Sequence, residues 1–178
     1  ASGKTTILKT TTINIIFSQQ VGVGFYKDGS INPYTHIHSY LNIPDTSERD
    51  SLFQAESRRC KEIIDIIISS DSKNTRHYGI FDELYSGTNP DEATKTGYAF
   101  LKYLTKYKNV DFVLTTHYHK ICLKFQKNKQ IQNYQMYVVE DKNENLTYTY
   151  KLKKGVSKIQ GAIRILEQMK YPEEIIHE

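Results

Sequence analysis

The sequence predicts an α/β fold in which helices flank a mixed central sheet. Two short apolar runs, Tyr78–Leu84 and Val110–Tyr118, carry this prediction because their composition suits buried parallel strands. Helical patterns precede the first run and separate it from the second. In folds of this class a ligand binds at the carboxyl ends of the strands, and both runs end in polar or acidic residues. We therefore expect a functional site where these two strands end.

The first half of the chain supplies three helices and further strands. Gly and Pro are absent from 4–20, and a helix is predicted there from the apolar residues Ile7, Leu8, Ile15, Ile16 and Phe17. Strands with turns are expected over 25–43, and a second helix over 51–69. A third helix is predicted from Thr88 to about Tyr107, because a cap residue, Pro90 and two acids begin it.

The second half predicts a hairpin and a helical tail. The hairpin joins strands 135–140 and 146–152 around a polar turn at 141–145. Residues 157–160 fit a capping box, and Pro172 starts a last short helix. The helix after the capping box is predicted from the spacing of Ile159, Ala162, Ile163, Leu166 and Met169.

Length and composition set the broad class. The 178 residues fit one domain, and no stretch has the roughly 18 uninterrupted apolar residues that a membrane span requires. Cys60 and Cys122 lack metal-ligand spacing, and we expect them to be reduced thiols in a reducing compartment. The net charge of +4 permits nucleic-acid contact without requiring it.

The first residues predict a phosphate site. Gly3-Lys4-Thr5 is the ending of the loop G-x-x-x-x-G-K-[ST], in which backbone N–H groups surround phosphates. Lys4 would place its charge on the phosphates, the Thr5 hydroxyl would bind Mg²⁺, and Gly3 and Thr6 complete the candidate nucleotide site. The first half of the loop and its strand do not precede it, so we expect the chain to be a piece of a longer protein that binds ATP poorly without them.

The end of the first apolar run predicts the hydrolytic residues. Ile80-Phe81-Asp82-Glu83 has the form of a Walker B strand. Asp82 would bind Mg²⁺ and Glu83 would take the proton of the attacking water. His117, at the end of the next predicted strand, could bond a γ-phosphate or position the water. His119 would face the same side in a strand and is a competing candidate.

Five motifs in order resemble the MutS mismatch-repair ATPase domain. They are Gly3-Lys4-Thr5, Ser51-Leu-Phe-Gln-Ala-Glu56, Phe81-Asp82-Glu83-Leu84, Gly87-Thr88 and Thr115-Thr116-His117-Tyr118. The tail from Gly155 to Ile176 is similar to that family's terminal helix-turn-helix. The resemblance implies a P-loop NTPase of the ABC-ATPase-like type over 1–154 and a helix-turn-helix dimerisation segment over 155–178.

The resemblance also implies roles and partners. ATP and Mg²⁺ would be the cofactors, and ATP turnover would be coupled to mismatched DNA and clamp movement within the cell. Ser51 would reach the nucleotide of a partner in a homodimer or heterodimer, although a helix cap explains it equally. Glu56 matches the acid of the same motif and would belong to the nucleotide-binding residues, and Tyr150 falls where the family places a ring near the adenine.

Two departures from the family pattern keep other functions open. Arg49-Asp50 stands where the family usually has Gly-Arg, and Tyr85-Ser86 replaces a basic turn after the acids. A degenerate ATPase kept as a dimerisation and DNA-positioning module is therefore one alternative. Another ABC-like ATPase is a second, but the sequence lacks the expected Ser-Gly-Gly core between Lys4 and Asp82.

Overall fold

The computed structural model describes residues 3–41, 43, 51–140, 146–157, 166 and 169–176. Helices and strands alternate through most of these ranges. They are α1 (Lys4–Val21), β1 (His36–Tyr40), α2 (Leu52–Ser69), β2 (His77–Asp82), α3 (Pro90–Leu104), β3 (Val110–Thr115), α4 (His119–Phe125), β4 (Tyr134–Glu140), β5 (Leu146–Lys154) and α5 (Glu173–Ile176).

The strands form two separate sheets. β1, β2 and β3 are parallel neighbours in that order, and β4 pairs with β5 in an antiparallel hairpin. The α/β class, both parallel strands and the hairpin are thus confirmed. Among the described residues the antiparallel strands do not join the parallel sheet, so the mixed central sheet that we expected is not seen there.

Helices cover both faces of the parallel sheet. On one face α1 contributes Leu8 and Ile15, which cluster with Tyr78 and Ile80 of β2. The opposite face holds the larger core, to which β1, β2, α2, α3 and α4 contribute. Its buried members include Tyr40, Cys60, Ile63, Ile67, Phe81, Phe100, Leu101, Ile121 and Phe125. Because the three strands are parallel, their carboxyl ends lie at the same end of the sheet.

Side-chain caps explain where α2 and α3 begin. The Ser51 hydroxyl accepts from the Gln54 backbone N–H, and the Gln54 side chain accepts from the Ser51 N–H, forming a capping box. The Asn89 side chain accepts from the Glu92 N–H, with Pro90 as the first helical residue. Both predicted helix starts are confirmed, and α3 ends at Leu104, three residues before the predicted end.

The buried face of α1 differs from the prediction. Ile16 and Phe17 are exposed, and Thr12 is buried in their place. Thr12 can be buried because its hydroxyl donates to the Leu8 carbonyl within the helix, so no polar group is left unpaired. Between residues 25 and 41 the structure forms one strand, β1, and the chain around it is irregular.

The strand predicted over Val110–Tyr118, which is β3 in the structure, is shorter than predicted. β3 ends at Thr115, and the Thr116 hydroxyl accepts from the Tyr118 N–H in a tight local turn. α4 starts at His119. His119 is therefore helical, and the prediction that it shares a strand face with His117 is wrong.

Half of the predicted tail, 155–178, lies outside the described residues. Residues 158–165, 167 and 168 are among these, and so are the hairpin turn at 141–145 and Asp50. The short helix after Pro172 is observed as α5. Within the described ranges, no helix combines the length and apolar character that crossing a bilayer demands.

Histidines meet at the amino ends of the first two strands. His38 Nε2 lies 3.0 Å from His77 Nδ1, and the His36 ring stacks on His77 with centroids 4.6 Å apart. Burial, followed by the neighbouring histidines, lowers the pKa of His38 to about 4. The pKa of His77 is lowered chiefly by burial. His38 and His77 are therefore neutral in the folded protein near pH 7.

Candidate functional site

A carboxylate at the end of β2 is the centre of the candidate site. The Thr5 hydroxyl donates to Asp82 Oδ2 over 3.0 Å, and its distance to Oδ1 is 3.3 Å. Thr115, the last residue of β3, donates its hydroxyl to Asp82 Oδ1. Helix α1 and two neighbouring strands thus bring their ends together, and the fold joins two motifs that lie 77 residues apart.

The start of α1 is arranged to bind an anion. Gly3 precedes the helix in the left-handed conformation, with φ of 88°, and makes no side-chain cap. The first turn contains no acidic residue. An 18-residue helix with Lys4 at its N-terminus therefore offers backbone N–H groups, a positive dipole end and an ammonium group to one ligand.

The Tyr150 ring lies against this helix start. A methyl group at position 3 would stand 3.1 Å from Tyr150 Cδ1 and 3.5 Å from Met136 Cε. Tyr150 as a residue is 65% exposed. The structure thus brings Tyr150 from β5 next to Gly3, and the adenine contact that the family resemblance implies for it stays a prediction.

Glu83 and His117 make a close polar contact beside the Asp82 cluster. Their Oε1 and Nε2 atoms are 2.7 Å apart, and both side chains are substantially exposed. Glu83 has a left-handed backbone, with φ of 55°, and its N–H donates to the Thr115 carbonyl over 3.0 Å. This unusual backbone follows directly after β2, and the Glu83 side chain that it carries is 45% exposed.

Ser51 and Glu56 have structural partners of their own. Ser51 is exposed and caps α2, so the helix-cap interpretation is confirmed. Glu56 is only 1% exposed, and its carboxylate accepts from the Ser86 and Gly87 backbone N–H groups and from the Ser86 hydroxyl. Both oxygens of Glu56 are therefore engaged by the turn after Asp82 and Glu83.

A small cavity opens between α2 and the strand ends. Its volume is about 190 Å³, enough for a phosphate group with its water but too small to enclose a nucleoside. Tyr40, Ile43, Leu52, Glu56, Asp82, Glu83 and Ser86 line it. Burial raises the pKa of Tyr40, so its hydroxyl is neutral beside the carboxylates.

The oxygen atoms of Thr5 and Asp82 suit Mg²⁺ that takes most of its other contacts from a bound ligand and water. Hydroxyl and carboxylate oxygens are hard donors, and Mg²⁺ commonly takes one or two of them together with phosphate oxygens and water. In the described part of the chain, no three His, Cys, Asp or Glu residues group closely enough to hold a metal by themselves. Thr5 and Asp82 therefore supply oxygen donors of the kind that Mg²⁺ takes.

The sequence did not assign a role to several residues of the site. Thr115 was part of a matched motif, but nothing marked its hydroxyl as an Asp82 donor. Tyr40 and Met136 stand in segments without a motif. Of the residues that the sequence did assign, Thr6 lies exposed on α1.

Comparison with known proteins agrees with this geometry. A helix that begins at Gly-Lys-Thr, joined by a hydroxyl to a strand-end carboxylate, is typical of P-loop NTPase domains, and the fold is of that class. The family model for MutS domain V matches residues 1–178. The chain belongs to the MutS family.

Individual relatives carry two names. The chain is 24% identical to the DNA mismatch repair protein MutS of Persephonella marina over 98% of its length. It is 29% and 30% identical, over 99% of its length, to Endonuclease MutS2 of two Lactococcus lactis subsp. cremoris strains, SK11 and MG1363. It covers 19% of the first protein and 22% of each of the other two, or about a fifth of their length.

Proposed function

We propose that this chain is the ATP-binding and ATP-hydrolysing domain of a longer MutS-type protein that acts on DNA. One observation carries the proposal, namely the bond of 3.0 Å between the Thr5 hydroxyl and the Asp82 carboxylate. It supports a site in which the Gly-Lys-Thr helix start and the Walker B strand end act on one ligand. Membership of the MutS family supports the same site.

The proposed binding roles follow from the contacts. Lys4 and the N-terminal N–H groups of α1, with Gly3 and Thr6, bind the phosphates. Thr5 and Asp82 hold Mg²⁺, which neutralises developing charge on the phosphates. Tyr150, packed on Gly3, offers the exposed side of its ring to the adenine, because base–aromatic contact needs a free π-face.

Glu83 and His117 have the hydrolytic roles in this proposal. Glu83 accepts the proton of the attacking water. His117 Nε2 bonds Glu83 Oε1, which leaves Oε2 as the free proton acceptor and fixes the orientation of the carboxylate. His117 also lies two residues after the end of β3, which neighbours the strand that ends at Asp82. In this proposal a movement of its exposed ring brings it to the terminal phosphate.

The relatives support either of two cellular settings. In the first, the domain couples ATP turnover to mismatched DNA and clamp movement, with Ser51 reaching the nucleotide of a partner subunit and residues 155–178 forming a dimerisation segment. In the second, it serves a MutS2-type protein, which the matches of 29% and 30% favour. The ATPase chemistry proposed here is the same in both.

The test is ATP turnover by the full-length protein with two isosteric variants. Glu83→Gln should bind ATP as tightly as the wild type but lose about 10²–10⁴ in rate, because an amide cannot take the proton. Asp82→Asn should instead weaken Mg²⁺-dependent binding. Wild-type turnover by Glu83→Gln would reject Glu83 as the base, and a wild-type protein that neither binds nor hydrolyses ATP would reject the function.

A further inference from the structure

The Glu56 carboxylate is bound to a turn that carries a proposed catalytic group. Its Oε1 accepts from the Ser86 N–H over 2.9 Å and from the Ser86 hydroxyl over 3.0 Å. Its Oε2 accepts from the Gly87 N–H over 3.1 Å. The side chain is buried in the second turn of α2, which leaves it no access to bulk water.

The turn that Glu56 holds is strained. Glu83 and Tyr85 both have left-handed backbones, with φ of 55° and 60°, which residues other than glycine seldom adopt. Such conformations persist where surrounding contacts over-determine them. Here the contacts are the Glu56 carboxylate and the Tyr40 hydroxyl, which accepts from the Tyr85 N–H over 3.1 Å.

Close packing adds to these hydrogen bonds. A methyl group at position 87 would lie 2.7 Å from the Phe53 backbone nitrogen, so only glycine permits this approach to the first turn of α2. The Phe53 and Tyr85 rings also meet, with centroids 5.6 Å apart. The turn at 83–87 is therefore docked on α2 at Tyr85, Ser86 and Gly87, directly after Glu83.

We propose that Glu56 is a positioning residue for ATP hydrolysis and does not itself bind nucleotide. By holding the turn on α2, its carboxylate fixes the backbone from which Glu83 reaches His117 and the attacking water. This inference rests on the proposed ATPase function. It replaces the nucleotide-binding role that the sequence suggested for Glu56, because both of its oxygens are occupied by protein donors.

The chemistry of the bonds explains why a carboxylate is needed. Two oxygens face three N–H and O–H donors. Glutamine would place an NH₂ group against at least one of these donors and lose that bond. The turn could then relax toward ordinary backbone angles, and Glu83 would move with it. A displacement of about 1 Å of a catalytic group costs on the order of 10²-fold in rate.

The test compares Glu56→Gln with Glu62→Gln in the full-length protein. Glu62 is a matched control, because it lies on the same helix but is exposed, where it pairs with Arg59 over 3.0 Å. Three quantities are measured: kcat for ATP, the equilibrium affinity for ATP, and the hydrogen-exchange rates of the Ser86 and Gly87 amides. Exchange in α1 reports the integrity of the rest of the site.

The expected result is specific to Glu56→Gln. Its kcat should fall about 10²-fold, its ATP affinity and α1 exchange should match the wild type, and the two turn amides should exchange at least about tenfold faster. Glu62→Gln should resemble the wild type throughout. Should Glu56→Gln fail to fold, Ser86→Ala, which removes one of the three donors, should lower kcat several-fold with unchanged affinity.

Three outcomes would overturn the inference. They are an unchanged kcat in Glu56→Gln (or in Ser86→Ala if that variant is the one tested), unchanged turn exchange, or a joint loss of ATP affinity and α1 protection, which would mean a general structural role. The proposed function fails separately, if the wild type itself does not hydrolyse ATP. Hydrolysis by the wild type with an unaffected Glu56→Gln rejects the positioning role alone.

Discussion

Replacing Gly87 with alanine perturbs the contact between the turn and α2. The methyl carbon would lie 2.7 Å from the Phe53 nitrogen and from Leu52 Cγ, whereas ordinary contact begins at 3.4 Å. The backbones must separate by about 0.7 Å, and overpacking of this kind costs about 1–3 kcal/mol. The same movement weakens the 3.1 Å bond to Glu56, which adds about 1.5–3 kcal/mol because the acceptor is charged. Alanine also lowers the conformational entropy of the unfolded chain, which offsets about 0.4–1 kcal/mol of this loss of stability.

The net loss should be about 3 kcal/mol of local stability, which corresponds to roughly 10²-fold faster opening of this region. Hydrogen exchange over 51–60 and 83–90 of the full-length protein measures that opening. Gly22→Ala is the control, because position 22 has free space and only a left-handed φ of 73°. It should cost about 1 kcal/mol near the end of α1 and leave the turn unaffected. Equal exchange in Gly87→Ala and the wild type would refute the close docking.

Three further outcomes follow from the same structure. Because burial lowers the pKa of His38 to about 4 from 6.5, the unfolded chain takes up the proton first as the pH falls, and the fold should lose about 3 kcal/mol between these pH values. Urea unfolding should show a smaller loss in His38→Gln, and equal pH dependence would contradict the burial argument. Leu8→Ala should lose about 2–5 kcal/mol from a fully buried position, and the exposed Ile13→Ala about 0.5 or less in the same experiment. Mixing full-length Ser51→Ala with Lys4→Ala should restore part of the ATPase activity if sites are shared between subunits, and no recovery despite subunit exchange would reject the shared site.

Sequence reasoning succeeded where one local pattern dictates the structure. The run Tyr78–Leu84 is largely apolar and has two acids near its end, so a buried parallel strand with a polar carboxyl end was predictable, and β2 forms over His77–Asp82. Asn89 and Pro90 predict the start of α3, because the Asn89 side chain can cap a helix and the fixed φ of Pro90 favours its first turn. Gly3-Lys4-Thr5 and Asp82 could be assigned to one site because the loop and the strand have separate signatures.

Sequence reasoning failed where hydrogen bonds and tertiary contacts decide whether a polar side chain is buried. An acid such as Glu56 in an amphipathic helix looks solvated, and its donors are backbone groups about 30 residues away that leave no sequence signal. A threonine such as Thr12 is polar and is expected on the surface of a helix. Its hydroxyl bonds the Leu8 carbonyl, however, so it is buried while Phe17 is exposed. Periodicity identifies a helix, but tertiary contacts decide which of its faces is buried.

Under the proposed function, the Asp82 cluster would also link nucleotide binding to the folding equilibrium. Its two hydroxyl donors lie 77 residues before and 33 residues after the carboxylate, so the cluster exists only when α1, β2 and β3 are assembled. A ligand that needs all three binds the native state and not the unfolded chain. At a hundred times its Kd, such a ligand shifts the equilibrium by about 2.7 kcal/mol. A nucleotide bound in the proposed way would therefore raise the free energy of unfolding of this domain, apart from any effect on turnover.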